Sequence, residues 1–275
     1  MDVEAKCAAF RHLHHRGGSF VIPNAWDAGT ARILTALGFE ALATTSAGYA
    51  FSAGKRDSLQ SLSRDEVLDN ARSIVAATDL PVSADLEDGF GQDPEHCANT
   101  IRLAADMGLV GGSIEDATGD PDAPIFGFDR AVERIAAAAQ AARDLPFMLT
   151  ARAENFLWGR PDLDETVARL CAFADAGADV VYAPGLRTLA DIEHVCLSVD
   201  RPVNVVMGLT GLSTTVTDLE NVGVKRISVG GSFARAAMTG FIDAAREVRD
   251  HGAFTYSDRI ISDSDAGAFM ERHPR

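Results

Sequence analysis

Eight short runs rich in β-branched and small residues recur along the chain, at spacings too long for β-hairpin loops. Segments with apolar residues at helical spacing separate them, and a Gly or Pro often ends the helical segment just before the next run. The predicted strands are 19–25, 41–46, 81–87, 110–116, 147–154, 179–185, 202–208 and 226–231. Eight strand-helix units in a chain of 275 residues predict an α/β fold, a (β/α)₈ barrel of the TIM type.

The clearest helical patterns cover residues 27–37, 63–77, 128–143, 163–176 and 232–250. Ser63 and Glu66 form a capping-box pattern at the start of the second helix. A doubly wound open sheet is the alternative architecture. The chain has neither a GxGxxG motif after its first strand nor a GxxxxGKS/T motif, and the absence of these nucleotide-binding signatures favours the barrel.

The domain organisation follows from the lack of any Gly/Ser-rich linker or low-complexity tract. We expect a single domain over residues 1–275, with a barrel core at about 19–250 and a polar C-terminal arm at 251–275.

Charge and cysteine content restrict the partners and the compartment. The formal net charge of −15 argues against nucleic acid and anionic membrane surfaces, because both attract basic faces. The four cysteines lie far apart, in segments with helical patterns, and show no CxxC spacing, so we expect reduced thiols. With no signal-peptide pattern and no long apolar stretch, the sequence predicts a cytoplasmic protein.

Polar residues concentrate where the predicted strands end, which is where barrels of this type build their sites. In strand order these residues are Asn24, Trp26, Asp27, Ser46, Ala47, Gly48, Asp85, Glu87, Asp88, Glu115, Asp116, Arg152, Glu154, Asn155, Tyr182 and Asn204. Buried polar groups are costly unless they are paired or bind a metal, so this concentration indicates a functional site. The alternative is a solvated acidic rim whose acids form structural ion pairs with Arg152.

The acids at these strand ends favour a hard metal ion. Asp85 and Glu87 lie two residues apart, so a strand would place both on one face, ~7 Å apart. None of the seven histidines lies at a predicted strand end, and oxygen ligands alone favour Mg²⁺, or Mn²⁺, over zinc. We therefore assign Asp85, Glu87 and Glu115 as candidate metal ligands, partly through water.

A metal of this kind chelates a 2-oxo acid through its carboxylate and ketone, which stabilises an enolate. Arg152 would bind the substrate carboxylate. The backbone N–H groups of Ser46, Ala47 and Gly48 would cradle an anion in a nest after the second strand. Trp26, Tyr182 and Asn204 are candidate walls of the substrate pocket, although each has an alternative role in packing.

Several segments together resemble the isocitrate lyase and phosphoenolpyruvate mutase superfamily. They are PNAWDAGTARILTALGFEALATTSAG (23–48), GKRD (54–57), DLEDGFG (85–91), SIED (113–116) and TARAENF (150–156). DLEDGFG is similar to the family's Asp-x-Asp-x-Gly-Tyr-Gly metal segment, with Glu87 and Phe90 replacing an Asp and the Tyr. SIED resembles the family segment that carries the metal-shell Glu, which is Glu115 here. TARAENF resembles the segment that carries the substrate-binding Arg, which is Arg152 here.

The resemblance implies a Mg²⁺-dependent barrel that acts on small 2-oxo or 2-hydroxy acids or their phosphono analogues. It also implies catalytic roles for Arg152, Glu115 and Asp57, the last of which corresponds to the Asp of the family's Gly-x-x-Asp loop. The implied assembly is a homodimer or homotetramer in which a C-terminal helix is swapped between subunits.

One loop departs from the family pattern. Lyases that cleave isocitrate carry a Lys-x-Cys-Gly-His loop after the fourth strand, whereas this chain reads EDATGDPDAPIFGFD. The longer gating loop of the phosphonate mutases is missing as well. We therefore expect a Mg²⁺-dependent carbon–carbon lyase or decarboxylase that acts on a small dicarboxylic acid through a metal-stabilised enolate. The alternatives are P–C bond chemistry on phosphonopyruvate and a non-catalytic protein that binds 2-oxo acids.

Overall fold

Nine parallel strands form one sheet in the computed structural model, which describes residues 1–58, 61–209 and 212–271. The strands are β1 (Phe20–Ile22), β2 (Asn24–Ala25), β3 (Leu42–Thr44), β4 (Val82–Asp85), β5 (Gly111–Glu115), β6 (Met148–Arg152), β7 (Val180–Tyr182), β8 (Val203–Val206) and β9 (Arg226–Ser228). Each of the eight predicted runs contains an observed strand. The sheet closes on itself, which confirms the TIM-type barrel and excludes the open doubly wound sheet.

Pro23 divides the first predicted strand into β1 and β2. Proline has no N–H to donate to a neighbouring strand, so it interrupts a regular ladder. β1 pairs with β9 on one side, and β2 pairs with β3 on the other. The carbonyl of Pro23 still accepts a hydrogen bond from the N–H of Ala43 at 2.9 Å, so the barrel closes across the interruption.

The helices are α1 (Val3–His15), α2 (Ala28–Ala36), α3 (Ser46–Ser52), α4 (Arg64–Ala77), α5 (Pro94–Asp106), α6 (Phe128–Ala142), α7 (Leu163–Asp175), α8 (Leu189–Ser198), α9 (Val216–Asn221), α10 (Ser232–His251) and α11 (Asp263–Met270). A short 3₁₀ helix covers Thr255–Arg259. The five predicted helices correspond to α2, α4, α6, α7 and α10. The capping box between Ser63 and Glu66 is confirmed, and all four cysteines are free thiols on helices.

The main hydrophobic core lies between the sheet and the surrounding helices, and a second cluster closes the amino-terminal end of the barrel. In the second cluster, Phe10 and Leu13 of α1 pack against Phe20, Met148 and Val180, which lie at or near strand starts. Helix α1 therefore plugs one end of the barrel, and the opposite end is left for a site.

The long helix α10 is poorly covered by the rest of its own chain. Ala234 is its one buried residue, and the side chains of Met238 and Phe241 are 41% and 75% exposed. Within the described ranges, no helix combines the length and the apolar character that crossing a bilayer requires.

Candidate active site

A cavity of about 800 Å³ opens at the carboxyl ends of the strands. Most of the site residues predicted from the sequence line it, namely Ser46, Ala47, Asp57, Asp85, Glu87, Glu115, Arg152, Tyr182 and Asn204. Trp26 and Gly48 are not among its lining residues. The strand-end rule therefore located the cavity, although it also included Asp27, Asp88, Asp116 and Asn155, which do not line it either.

Arg152, the last residue of β6, sits among three carboxylates. Its Nη1 lies 3.1 Å from Asp85 Oδ1, its Nη2 lies 3.1 Å from Glu115 Oε2, and its Nε donates to Glu154 Oε1 at 2.8 Å. The guanidinium also stands over the ring of Tyr182, 5.1 Å from the ring centroid. β5 and β6 pair with Glu115 opposite Arg152, so the sheet register itself brings these two side chains together.

Asp85 is the last residue of β4, and both of its carboxylate oxygens have partners in the protein. Its Oδ1 faces Arg152, and its Oδ2 accepts hydrogen bonds from the N–H of Ser46 at 3.3 Å and from the hydroxyl of Ser46 at 2.9 Å. The Ser46 backbone thus binds an acid of the protein. Gly48 donates its N–H to Thr45 Oγ1 at 3.2 Å, as part of the cap of α3. Residues 46–48 therefore begin a capped helix, and two of the three N–H groups of the predicted anion nest, those of Ser46 and Gly48, bind oxygens of the protein's own side chains.

Glu87 does not share a strand face with Asp85 in the way that the sequence suggested. The strand ends at Asp85, and Glu87 takes a left-handed backbone conformation with φ of 47°. This region is unfavourable for a residue with a Cβ, and such strain is concentrated at functional sites. The Glu87 carbonyl accepts from the N–H of Glu115 at 2.9 Å, which holds the turn against β5. Both acids still line the cavity.

Five acids and three arginines line the cavity, and the pKa values of several of the acids are raised. Burial, together with repulsion from Asp85 and Asp88, raises the pKa of Glu87 to about 8. Burial also raises the pKa of Glu115 well above its ordinary value, although Arg152 opposes the shift. The pKa of Asp57, at the cavity mouth, is raised by desolvation and by the charge of Asp85. Additional positive charge in the cavity would favour the ionised forms of these acids.

A hard divalent cation fits this donor set. No three His, Cys, Asp or Glu side chains within the described ranges lie close enough together to form a metal sphere by themselves. Mg²⁺ usually takes only one or two carboxylates directly and keeps several waters, so it does not need such a sphere. Asp85, Glu87 and Glu115 supply oxygen only, and a bound cation would stabilise the ionised forms of Glu87 and Glu115, whose pKa values are raised by burial. No histidine of the described chain lines the cavity, and His273 lies outside the described residues.

We expect Mg²⁺ affinity to depend on pH through Glu87. Because its pKa is about 8, the carboxyl is mostly protonated at pH 7 and must release a proton when a cation binds. The apparent affinity should therefore rise about tenfold between pH 7 and pH 9 and level off above the pKa. Titration calorimetry in two buffers of different ionisation enthalpy measures the proton release. Glu87→Gln should release about one proton fewer, and an unchanged proton count in this variant would exclude Glu87 from the metal site.

Tyr182 and Asn204 lie deeper in the cavity. Tyr182 is 8% exposed, and burial raises the pKa of its hydroxyl, so it stays neutral. Asn204 donates to Ser228 Oγ at 3.1 Å and accepts from Arg226 Nε at 2.8 Å. Both side chains form the wall that the sequence predicted for them, but Asn204 also holds a buried arginine.

The sequence analysis missed several cavity residues. Arg226 begins β9, so a search of strand ends did not include it, and Arg235 lies in the first turn of α10. Leu157 and Trp158, in the loop after β6, add an apolar wall near the mouth. The signal available in the sequence was a pair of large apolar residues shortly after the fifth predicted strand. In the structure, Leu157 and Trp158 are 53% and 39% exposed.

The loop after β5, which departs from the family pattern, folds as a compact turn. Ala117 and Ile125 form an antiparallel bridge, and the hydroxyl of Thr118 donates to the carbonyl of Ala123 at 2.6 Å. Of its residues 117–127, only Gly119 lines the cavity. The loop therefore brings no acid or base side chain to the site.

The sequence matches the family described as phosphoenolpyruvate phosphomutase over residues 10–249. A crystal structure of a candidate lyase/mutase from Burkholderia cenocepacia J2315 has a TM-score of 0.95 and 56% identity, and the match covers 98% of this chain and 97% of that one. Probable 2-methylisocitrate lyase 2 of Corynebacterium glutamicum is 31% identical over 249 residues, which are 87% of this chain and 80% of the relative. Oxaloacetate decarboxylase of Chromohalobacter salexigens is 28% identical over 254 residues, 89% of this chain and 85% of the relative.

These matches span most of the chain, and the structural match agrees with the barrel fold. They bear out the resemblance noted in the sequence. The chain belongs to the phosphoenolpyruvate mutase/isocitrate lyase superfamily, whose members are lyases and mutases of small carboxylic acids.

Proposed function

We propose that the protein is a Mg²⁺-dependent carbon–carbon lyase that decarboxylates or cleaves a small 2-oxo or 2-hydroxy dicarboxylic acid through an enolate. The observation that carries the proposal is the cluster of Asp85, Glu115 and Glu154 around Arg152, with Glu87 beside it at a pKa of about 8. A cation would stabilise the ionised forms of these acids, and Arg152 would contact the same ligand.

Asp85, Glu87 and Glu115 would hold the metal ion, partly through water. When bound, Mg²⁺ supplies a Lewis acid that polarises the ketone of a chelated 2-oxo acid. Arg152 orients the adjacent carboxylate with its planar guanidinium. Arg152 Nε is already paired with Glu154. The substrate carboxylate would therefore bind Nη1 and Nη2, in place of their contacts with Asp85 and Glu115.

For oxaloacetate, the bond between C3 and the C4 carboxylate breaks, and its electron pair forms the enolate of pyruvate while CO₂ leaves. The enolate then takes a proton from water that enters through the cavity mouth. Simple decarboxylation needs no further acid or base, which agrees with a loop after β5 that contributes only Gly119 to the cavity. The 28% identity to an oxaloacetate decarboxylase supports the same reaction.

P–C bond chemistry on phosphonopyruvate is the second candidate, and the matching family description, phosphoenolpyruvate phosphomutase, favours it. Its substrate shares the 2-oxo carboxylate end, so the acid cluster and Arg152 would act in the same way. Binding of a 2-oxo acid without turnover is the third candidate, favoured by the loop after β5.

One set of assays separates the three candidates. Purified protein is supplied with oxaloacetate or phosphonopyruvate, with Mg²⁺ and then with excess chelator. We expect pyruvate release from oxaloacetate above background that is lost on chelation. Phosphate or phosphoenolpyruvate from phosphonopyruvate would establish the second candidate in its place. Thermal stabilisation by both compounds without any product would establish the third.

We also propose a homodimer or homotetramer in which α10 packs against a partner subunit. A 20-residue helix whose Met238 and Phe241 are exposed has apolar surface to cover. We expect light scattering to give a mass that is a multiple of 29.2 kDa, and Phe241→Asp to shift it toward the monomer. Glu247→Asp on the same helix should leave the mass unchanged, and a monomeric wild-type protein would contradict the proposal.

A further inference from the structure

A second arginine lines the cavity and has no acidic partner. Arg226 is 6% exposed, and its Nε donates to Asn204 Oδ1 at 2.8 Å. Its Nη2 donates to Thr150 Oγ1 at 3.0 Å, while its Nη1 has no hydrogen-bond partner. Among the described residues, no carboxylate lies within 4.0 Å of its guanidinium.

Of the three arginines that line the cavity, the two that lie on strands differ in this respect. Arg152 is paired with three carboxylates, whereas the partners of Arg226 are one amide and one hydroxyl. A buried charge without a counter-charge is costly, and it persists where a ligand supplies the opposite charge. The cost is visible in Arg226 itself, since burial lowers its pKa to about 10.

The other titratable groups around Arg226 supply no negative charge at neutral pH. His14, on α1 below the barrel, is neutral, because burial and the charge of Arg226 lower its pKa to about 3. Tyr182 is neutral as well, because burial raises its pKa. Arg152 adds a repulsive charge. The positive charge of Arg226 is therefore offset by none of these groups.

The positions of the two arginines are related through β6. Thr150, which accepts from Arg226, and Arg152 lie two residues apart on this strand. Their side chains share one face at a separation of ~7 Å along the strand. The cavity thus has an acid cluster around Arg152 and, beside Thr150 on the same strand, a cation without an acidic partner at Arg226.

We propose that Arg226, positioned by Asn204 and Thr150, forms the subsite for the second carboxylate of the substrate and makes the protein selective for dicarboxylic over monocarboxylic acids. The inference rests on the proposed function for the placement of the first carboxylate at the metal end. It is tested by binding, which does not require turnover.

Malate and lactate provide the probes, because they share a 2-hydroxy carboxylate and differ by the second carboxylate. In calorimetric titrations of Mg²⁺-loaded protein we expect malate to bind at least about tenfold more tightly than lactate, as a charge-assisted pair in a buried site allows. Arg226→Met should remove this preference and leave lactate binding unchanged. Arg226→Lys keeps the positive charge but not the planar guanidinium, so this variant should retain part of the preference for malate.

The outcome is separable from the proposed lyase activity. A preference for malate that is lost in Arg226→Met supports the subsite even if oxaloacetate is not turned over. Equal binding of malate and lactate by the wild-type protein overturns the inference, and so does a malate preference that survives in Arg226→Met. Thr150→Val keeps the arginine and removes one of its two positioning bonds, so a smaller loss of the preference is expected. If Arg226→Met does not fold, Arg226→Lys and Thr150→Val carry the same comparison.

Discussion

Replacing Asp85 by alanine is expected to abolish Mg²⁺-dependent pyruvate release from oxaloacetate, with a loss in kcat/KM of at least about a thousandfold. Asp85 is the acid that joins the parts of the site, because it contacts both Arg152 and Ser46. Without its carboxylate, the proposed cation loses a ligand and Arg152 loses the partner that aims it. Steady-state kinetics with and without chelator measure the effect.

The controls separate chemistry from folding. Asp85→Asn keeps the shape and removes the charge, so it should lose metal binding in calorimetry while its urea unfolding stays close to wild type. Asp120→Ala changes an exposed acid in the loop after β5 that does not line the cavity, and it should keep wild-type kinetics. An Asp85→Ala protein that retained the wild-type rate would exclude this acid from the mechanism.

The Arg152→Met variant is expected to be destabilised by about 3 to 5 kcal/mol at pH 7 in the absence of metal, because it leaves buried carboxylates without their counter-charge. Burial already raises the pKa values of Glu115 and Glu154 against the charge of Arg152, so both would lie further above those of the unfolded chain. Acids with raised pKa values bind protons preferentially in the folded state, so the loss should shrink as the pH falls from 7 to 5. Urea unfolding in the presence of chelator, at pH 7 and at pH 5, measures this difference in the free energy of unfolding.

Arg72→Met is the matched control, since Arg72 pairs with Asp69 on the surface and both side chains are more than half exposed. Its stability should stay within about 0.5 kcal/mol of wild type. Arg152→Lys keeps a charge but not the planar fork, and we expect its kcat/KM to fall at least about a hundredfold. An Arg152→Met protein as stable as wild type at pH 7 would mean that the three acids are not held by this arginine.

The barrel was predictable because strand and helix patterns alternate along the whole predicted core. A Gly or Pro residue also marks many of the transitions from helix to strand. Pro23 was visible in the sequence, but its effect depends on strand pairing, since it divides one strand that pairs with different neighbours on its two sides. A helical pattern around Cys7 was visible in the sequence, but the role of helix α1 as a plug was not, because it depends on contacts with residues at and near strand starts that are distant in sequence.

The candidate site was predictable where the rule of strand ends applies, as for Asp85, Glu115 and Arg152. The left-handed turn at Glu87 was not, because a run of apolar and acidic residues reads as a continuing strand. Arg226 was missed for a related reason. It begins its strand, and only the reach of a long side chain across the barrel interior brings it into the cavity.

The central claim is that the carboxylates around Arg152 hold a divalent cation that the substrate chelates. Crystals grown with Mn²⁺ and oxalate test it most directly, since the anomalous signal of manganese locates the ion without reference to activity. We predict a peak in the cavity with an oxygen of Asp85 at about 2 Å or through one water, and with the oxalate between the ion and Arg152. A manganese peak outside the cavity would contradict the claim. The absence of any manganese peak, with Arg152 still in contact with Asp85 and Glu115, would contradict it as well.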